Sequence, residues 1–188
     1  MTPAAGAMSI ERLTGSAVDA EAVVDPLLRE YVPWAADRFA ELGISFADRD
    51  AVIEEHHAAF RSELPNLLGT RGRLLVARLE GDPVGLGALK PVGAETAEIK
   101  RMYVRPVARS RGVGRALLER LLADARAEGY HVARLETATF MTTAQALYRS
   151  LGFRDAAMFD GSEAAMSGLQ SLTRYMELPL TKEIQVAK

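Results

Sequence analysis

The sequence predicts an α/β domain built on a mixed, mostly antiparallel sheet flanked by helices, and three observations carry that expectation. A strongly amphipathic helix lies past the middle of the chain, with Val113, Leu117, Leu121 and Ala125 recurring every four residues. Three strand-like runs precede it in direct succession, and a strand, a helix and a final strand follow it. The chain has 188 residues, 48% of them hydrophobic and 26% charged, which is the balance of a soluble globular protein with a core of its own.

Composition narrows the function classes. Lys plus Arg is 23 and Asp plus Glu is 25, a net charge of −2, so no global field argues for nucleic acid or an anionic membrane. There is no cysteine, which excludes disulfides, thiolate metal sites and a cysteine nucleophile. Residues 1–8 have neither the basic start nor the apolar run of a secretory signal and read as a disordered leader. No stretch approaches the roughly 18 apolar residues of a membrane span. The expectation is one cytoplasmic domain over residues 9–180 with a tail at 181–188.

The elements follow in order. Ser9 to Thr14 reads as a first strand. Asp19 to Ala40 has helical spacing in Val23, Leu27, Tyr31, Trp34 and Phe39, and Pro26 and Pro33 mark helix starts or kinks, since proline has no N–H to give, with two short helices favoured over one. Phe46-Ala-Asp-Arg-Asp offers a capping aspartate for a helix over Ala51 to Leu64, which Pro65-Asn66 ends. Arg73 to Glu80 and Val84 to Pro91 form a hairpin around Gly81-Asp82-Pro83, and Ala97 to Arg105 completes a meander. The central helix stops at Gly129. His131 to Thr137 is the next strand, Thr142 and Thr143 are cap types for a helix carrying Ala144, Leu147, Tyr148 and Leu151, and Ser171 to Leu178 is the last strand. Between them, Asp155 to Gln170 has no clear period. It reads as a surface loop, with a covering role over a site as the alternative.

The chemistry concentrates at Arg109-Ser110-Arg111-Gly112-Val113-Gly114-Arg115, where a strand feeds a turn and the turn opens the central helix. Helix-opening N–H groups lack intrahelical partners and sit at the positive end of the dipole, so this turn suits an anion, with a nucleotide pyrophosphate favoured. The glycines allow close approach to the backbone. A dinucleotide fold is not indicated, because a third glycine would fall at Leu117, and no Gly-Lys-Ser or Gly-Lys-Thr of a phosphate loop occurs. His56 and His57, adjacent on one helix, diverge by about 100° and do not converge on a metal, so no metal site is expected. By strand alternation Glu98 shares a face with Met102 and Val104 unless a bulge intervenes.

The strand from Glu98 to Val104, the R-x-x-G-x-G turn, the long helix, the next strand and Ala144-Gln-Ala-Leu-Tyr-Arg-Ser-Leu-Gly-Phe153 together resemble the general N-acetyltransferase (GNAT) superfamily over roughly Val84 to Phe153. The resemblance implies a sheet whose fourth and fifth strands splay, and an enzyme transferring an acetyl group from acetyl-coenzyme A, as co-substrate, to a primary amine. It implies that N–H groups of Ser110, Arg111, Gly112, Val113, Gly114 and Arg115, with Arg109 beside them, wrap the pyrophosphate. Met102, Tyr103 and Val104 match the strand end that pairs with the pantetheine arm. Glu98 matches the glutamate that takes a proton from the amine, and Tyr148 the tyrosine that protonates the departing thiolate. The family's asparagine seven residues before that tyrosine is Met141 here, so the pantetheine contact on that helix is absent or passes to Thr142 or Thr143.

A small-molecule or peptide amine is the implied acceptor, and homodimers are common in the family. The bland readings are a solvated strand residue for Glu98 and a core tyrosine for Tyr148. The alternative from another class is a non-catalytic acyl-coenzyme A binding module. Trp34, Phe39, Phe46 and Phe60 read as core, in a region that covers the acceptor site in the resembled fold.

Overall fold

The computed structural model describes residues 7–44 and 46–180. The expected leader and tail therefore lie largely outside the described residues, except that Met8 opens the first strand. Seven strands, β1 (Met8–Arg12), β2 (Arg73–Leu79), β3 (Asp82–Pro91), β4 (Thr96–Val104), β5 (Val132–Ala138), β6 (Arg154–Asp155) and β7 (Thr173–Pro179), form one sheet in the order β1-β2-β3-β4-β5-β7-β6. Every neighbouring pair is antiparallel except β4 and β5, which run parallel from Thr96–Val132 to Ile99–Leu135 and pair no further. Beyond Ile99 the two strands part, as the splayed arrangement requires.

Helix α3 (Val113–Ala127) packs on one face of the sheet. Leu117, Leu118 and Leu121 are wholly buried there against Leu75, Leu89, Ile99 and Leu135, each side chain contributing roughly 1.5–3 kcal/mol. The other face is covered by α1 (Ala17–Glu41) and α2 (Arg49–Leu68), whose Val24, Leu27, Phe60 and Leu64 meet Leu74, Val76 and Leu86. Helix α4 (Thr142–Ser150) lies on the α3 side, and a four-residue α5 (Glu163–Met166) sits in the segment leading to β7.

Both proline-based expectations are corrected. Helix α1 is continuous through Pro26 and Pro33, and α2 runs through Pro65 to Leu68. A proline frees the carbonyl four residues before it, here Ala22, Arg29 and Arg61, and all three are exposed residues that water can satisfy. The buried stripes continue past each proline, from Val24 to Ala36 and from Leu64 to Leu67, and outweigh the three lost bonds. Of the two aspartates before α2, Asp48 is the cap, accepting the Ala51 N–H at 2.9 Å. Thr142 and Thr143 do not cap α4; they are its first two residues, and Met141 precedes them without a side-chain bond.

Candidate active site

The parting of β4 from β5 is sharpened by a bulge. Lys100 pairs with Ala88 and Tyr103 with Leu86, so Arg101 and Met102 together oppose Gly87. Arg101 absorbs the extra residue in the left-handed region at φ 55°, a conformation that costs a non-glycine residue about 1–2 kcal/mol. The bulge inverts the alternation and corrects one expectation. Met102 and Val104 face α3, while Glu98 and Lys100 share the opposite face with Tyr103, toward α1 and α2.

On that face a cleft open to solvent is lined by Tyr31, Glu98, Lys100, Arg101, Glu136 and Glu163. Glu98 is only 4% exposed, so it is not a solvated strand residue. Burial pushes its carboxyl above the usual range; Lys100, at 3.7 Å, and Arg134, at 3.3 Å, pull it back, and Glu136 and Glu163 push it up. A buried carboxylate held up in this way is poised to take a proton.

Lys100 and Arg101 are buried cations shared between two further carboxylates. Glu63 of α2 lies 2.9 Å from Lys100 and 3.3 Å from Arg101. Glu163 of α5 bonds to Lys100 and lies 3.2 Å from Arg101. Burial by itself would raise Glu63, but Lys100, Lys90 and Arg101 hold it down at about 2. Glu136 of β5 fastens α5 in place by accepting the N–H groups of Glu163, at 2.9 Å, and Ala164, at 3.0 Å. The stretch after Phe153, read as a plain surface loop, is thus a wall of the cleft. Arg134 adds a bond to the Asp160 carbonyl at 3.2 Å and stacks over Phe159 at 3.9 Å.

A stability test follows from Glu63. Its folded pKa is below its unfolded value, so the stabilisation is present above pH 4.5 and is lost as pH falls toward 2. Glu63→Gln is expected to lower unfolding free energy by on the order of 3 kcal/mol at pH 7, and by much less at pH 3. Urea denaturation of both proteins at the two pH values checks it.

Tyr148 lies on the α3 side, 6% exposed and packed with Phe153 at a ring separation of 5.9 Å. Burial pushes its phenol well above the ordinary value, and neighbouring Tyr31 adds to the rise. Tyr31 of α1 also lines the Glu98 cleft and stacks on Tyr103 at 5.4 Å. It thus borders the cleft that holds Glu98 and also acts on Tyr148. Trp34, Phe39 and Phe46 are half-buried, and Phe140 joins Trp34 at 6.1 Å and Phe39 at 5.1 Å. Phe60 is core. His57 is core beside Asp25, and His56 bonds its own helix.

The turn that opens α3 leaves its backbone N–H groups unused: among the described bonds none uses those from Ser110 to Arg115, and the first used in this turn is Ala116, to the Gly112 carbonyl at 2.9 Å. Ser110 and Gly112 both have positive φ, 59° and 81°, which fans successive N–H groups toward one side. A Cβ at Gly112 would meet nothing within 4 Å, so the space in front of the turn is open. At Gly114 a Cβ would point instead toward Leu147 and Val104, at 3.6 and 3.7 Å, into the gap between β4 and α4. Arg111 is exposed, Arg115 bonds Ser150 at 2.7 Å, and Arg109 folds back over Trp34 and bonds the Val104 carbonyl at 3.1 Å. Lys100 to Val104 have no β5 partner, so that strand edge offers free backbone groups beside the turn. These residues fit a pyrophosphate joined to an extended, amide-bearing arm.

Sequence reasoning missed Tyr31, Glu63, Arg101, Glu136 and Glu163. One signal was present: Glu98-Ile99-Lys100-Arg101 places three charges in a strand central to the sheet, where each must find a partner.

Comparison with known proteins agrees with this geometry. The acetyltransferase (GNAT) family profile matches residues 34–153. An IAA acetyltransferase from Azospirillum brasilense is 42% identical over 109 residues, covering 57% of this chain and 68% of that protein. In fold, the chain is similar to an acetyltransferase from Streptococcus agalactiae, at TM-score 0.66 and 20% identity over 92% of this chain and 98% of that one. It is equally similar to the PaiA N-acetyltransferase from Thermoplasma acidophilum, whose structure is a complex with coenzyme A, at TM-score 0.66 and 18% identity over 92% and 99% of the two chains.

Proposed function

The chain belongs to the acetyltransferase (GNAT) family, and on that premise we propose a division of labour among its residues. It is an N-acetyltransferase with acetyl-coenzyme A as co-substrate, which supplies the activated acetyl thioester. The N–H groups from Ser110 to Arg115 hold the pyrophosphate, and the free edge of β4 from Met102 to Val104 holds the arm. Glu98 takes the proton that the attacking primary amine must lose, directly or through one water. Tyr148 gives a proton to the departing sulfur. Tyr31 closes the space between them on the α1 side.

The single observation that carries this reading is the set of unused N–H groups opening α3, placed beside a strand edge that has lost its partner. The cleft containing the raised Glu98 opens at the same splay, so donor and acceptor reach the thioester from opposite faces of the sheet. No helix among the described residues is long and apolar enough to cross a membrane. That fits the proposal of a cytoplasmic enzyme acting on a small-molecule or peptide amine.

Acetyl-coenzyme A at about 100 times its Kd is expected to stabilise the wild type by about 2.7 kcal/mol, read as a rise in Tm. Gly112→Val abolishes the rise, because valine at φ 81° re-aims the N–H groups and its side chain fills the open space before them. Gly43→Ala is the control, since Gly43 has φ 84° and open surroundings far from the turn in sequence; it keeps the rise despite similar backbone strain. An equal rise in Gly112→Val removes the turn from coenzyme binding.

A further inference from the structure

The acceptor class is written in the cluster that surrounds Glu98. Four cations, Lys90, Lys100, Arg101 and Arg134, face three carboxylates, Glu63, Glu98 and Glu163. Glu63 and Lys90 come from the helix and strand behind the cleft, and with its pKa held near 2 Glu63 stays charged throughout the working range. Glu98 lies on β4 itself. Glu163 differs from the other two: it is 35% exposed where Glu63 and Glu98 are 11% and 5% exposed, and it arrives on a four-residue helix in the segment between β6 and β7. Its side chain is the one carboxylate of the three exposed enough to swing away while α5 stays fastened to Glu136.

Arg101 is the second observation. The bulge turns it into the cleft at a backbone cost, its side chain is 8% exposed, and its Nε is buried without any partner. A buried guanidinium donor left unpaired is expensive, and here it lines the space where an acceptor must enter. If Glu163 withdraws, Lys100 and Arg101 together present a planar fork and an ammonium with one negative charge missing, a carboxylate-shaped vacancy in charge and geometry. Lys100 Nζ lies only 3.7 Å from Glu98, so an amine lodged at Glu98 and an anion lodged on Lys100 must be joined by a short linker.

We propose that the acceptor is an amine bearing a carboxylate a short distance away, an amino acid or a close analogue, and that Lys100 and Arg101 bind that carboxylate in the position Glu163 holds in its absence. The inference rests on the transferase reading above.

The test is thiol release from acetyl-coenzyme A with matched acceptors: free α-amino acids, their methyl esters and their decarboxylated amines. The free acids are expected to exceed both counterparts in kcat/KM by on the order of 10²-fold. Arg101→Gln removes that preference, lowering turnover of the acids while esters and the acetyl-coenzyme A rise in Tm stay within about twofold. Glu163→Gln lowers KM for the acids, because the internal competitor has lost its charge; this variant leaves the β4 bulge untouched and decides the matter if Arg101→Gln does not fold. Esters or decarboxylated amines turned over as well as the acids, an equal loss on all acceptors in Arg101→Gln, or an unchanged KM in Glu163→Gln overturns the proposal and leaves the transferase standing. Coenzyme binding with no thiol release from any amine overturns both.

Discussion

Glutamine in place of Glu98 is expected to lower kcat by on the order of 10²- to 10⁴-fold while leaving the acetyl-coenzyme A rise in Tm intact. The amide keeps the size of the carboxyl and its contact with Arg134, and Lys100 retains Glu63 and Glu163 as partners, so the cleft keeps its shape. What is lost is the proton acceptor. The pH profile makes the assignment specific. A base works ionised, and burial holds the folded pKa of Glu98 above the ordinary carboxylate range. In the wild type, kcat/KM therefore climbs with pH through that raised value, and the limb disappears in Glu98→Gln. Stability moves the other way from the Glu63 case. A carboxyl raised on folding favours its protonated form, so it costs stability as pH rises above its unfolded pKa, and Glu98→Gln is neutral or mildly stabilising at pH 7. A variant with unchanged kcat, or one that keeps the acidic limb, removes Glu98 from the mechanism.

Why the sequence nominates Glu98 and Tyr148 as candidates, and not the neighbours of Glu98, follows from the range of the interactions. The R-x-x-G-x-G turn and α3 are local: glycines at special φ, unpaired N–H groups and a four-residue apolar period all lie within one stretch from Arg109 to Ala127. The family resemblance then located Glu98 and Tyr148 by their distance along the chain from that turn. The bulge at Arg101 and Met102 has no such local mark, since neither residue favours positive φ, and it reversed the face assigned to Glu98. The helices broke at proline in the reading because propensity is counted per residue, whereas Leu27, Leu28 and Leu67 are buried by partners far away in the chain. Glu63 and Glu163 reach Lys100 across 37 and 63 positions. Their spacing carries no period, and only the folded sheet brings them beside Glu98.

Tyr148→Phe is expected to lower kcat by on the order of 10²-fold or more, with little change in the KM for acetyl-coenzyme A, because a proton donor acts chiefly in the transition state. Stability changes little: the phenol has no hydrogen-bond partner among the described contacts, and the ring packing against Phe153 survives in phenylalanine. The same burial that makes the residue look like plain core also defines its chemistry. Its pKa is pushed up by desolvation and by Tyr31, so the phenol keeps its proton across the working pH range and gives it up only to a strongly basic partner such as a departing thiolate. No alkaline fall in kcat below about pH 10 should then arise from Tyr148, since an unperturbed phenol ionises only near that value. Tyr31 provides the counter-test. It borders the Glu98 cleft and is itself buried with a raised pKa, so it is a phenol placed to stand in for Tyr148 as donor. If Tyr148→Phe keeps full kcat and Tyr31→Phe loses it, the proton comes from α1 rather than α4; if Tyr148→Phe alone loses kcat, Tyr31 serves as the wall that keeps the donor dry. Loss in both, with the double variant no worse than either, means that the two phenols act as one unit across the splay between β4 and β5.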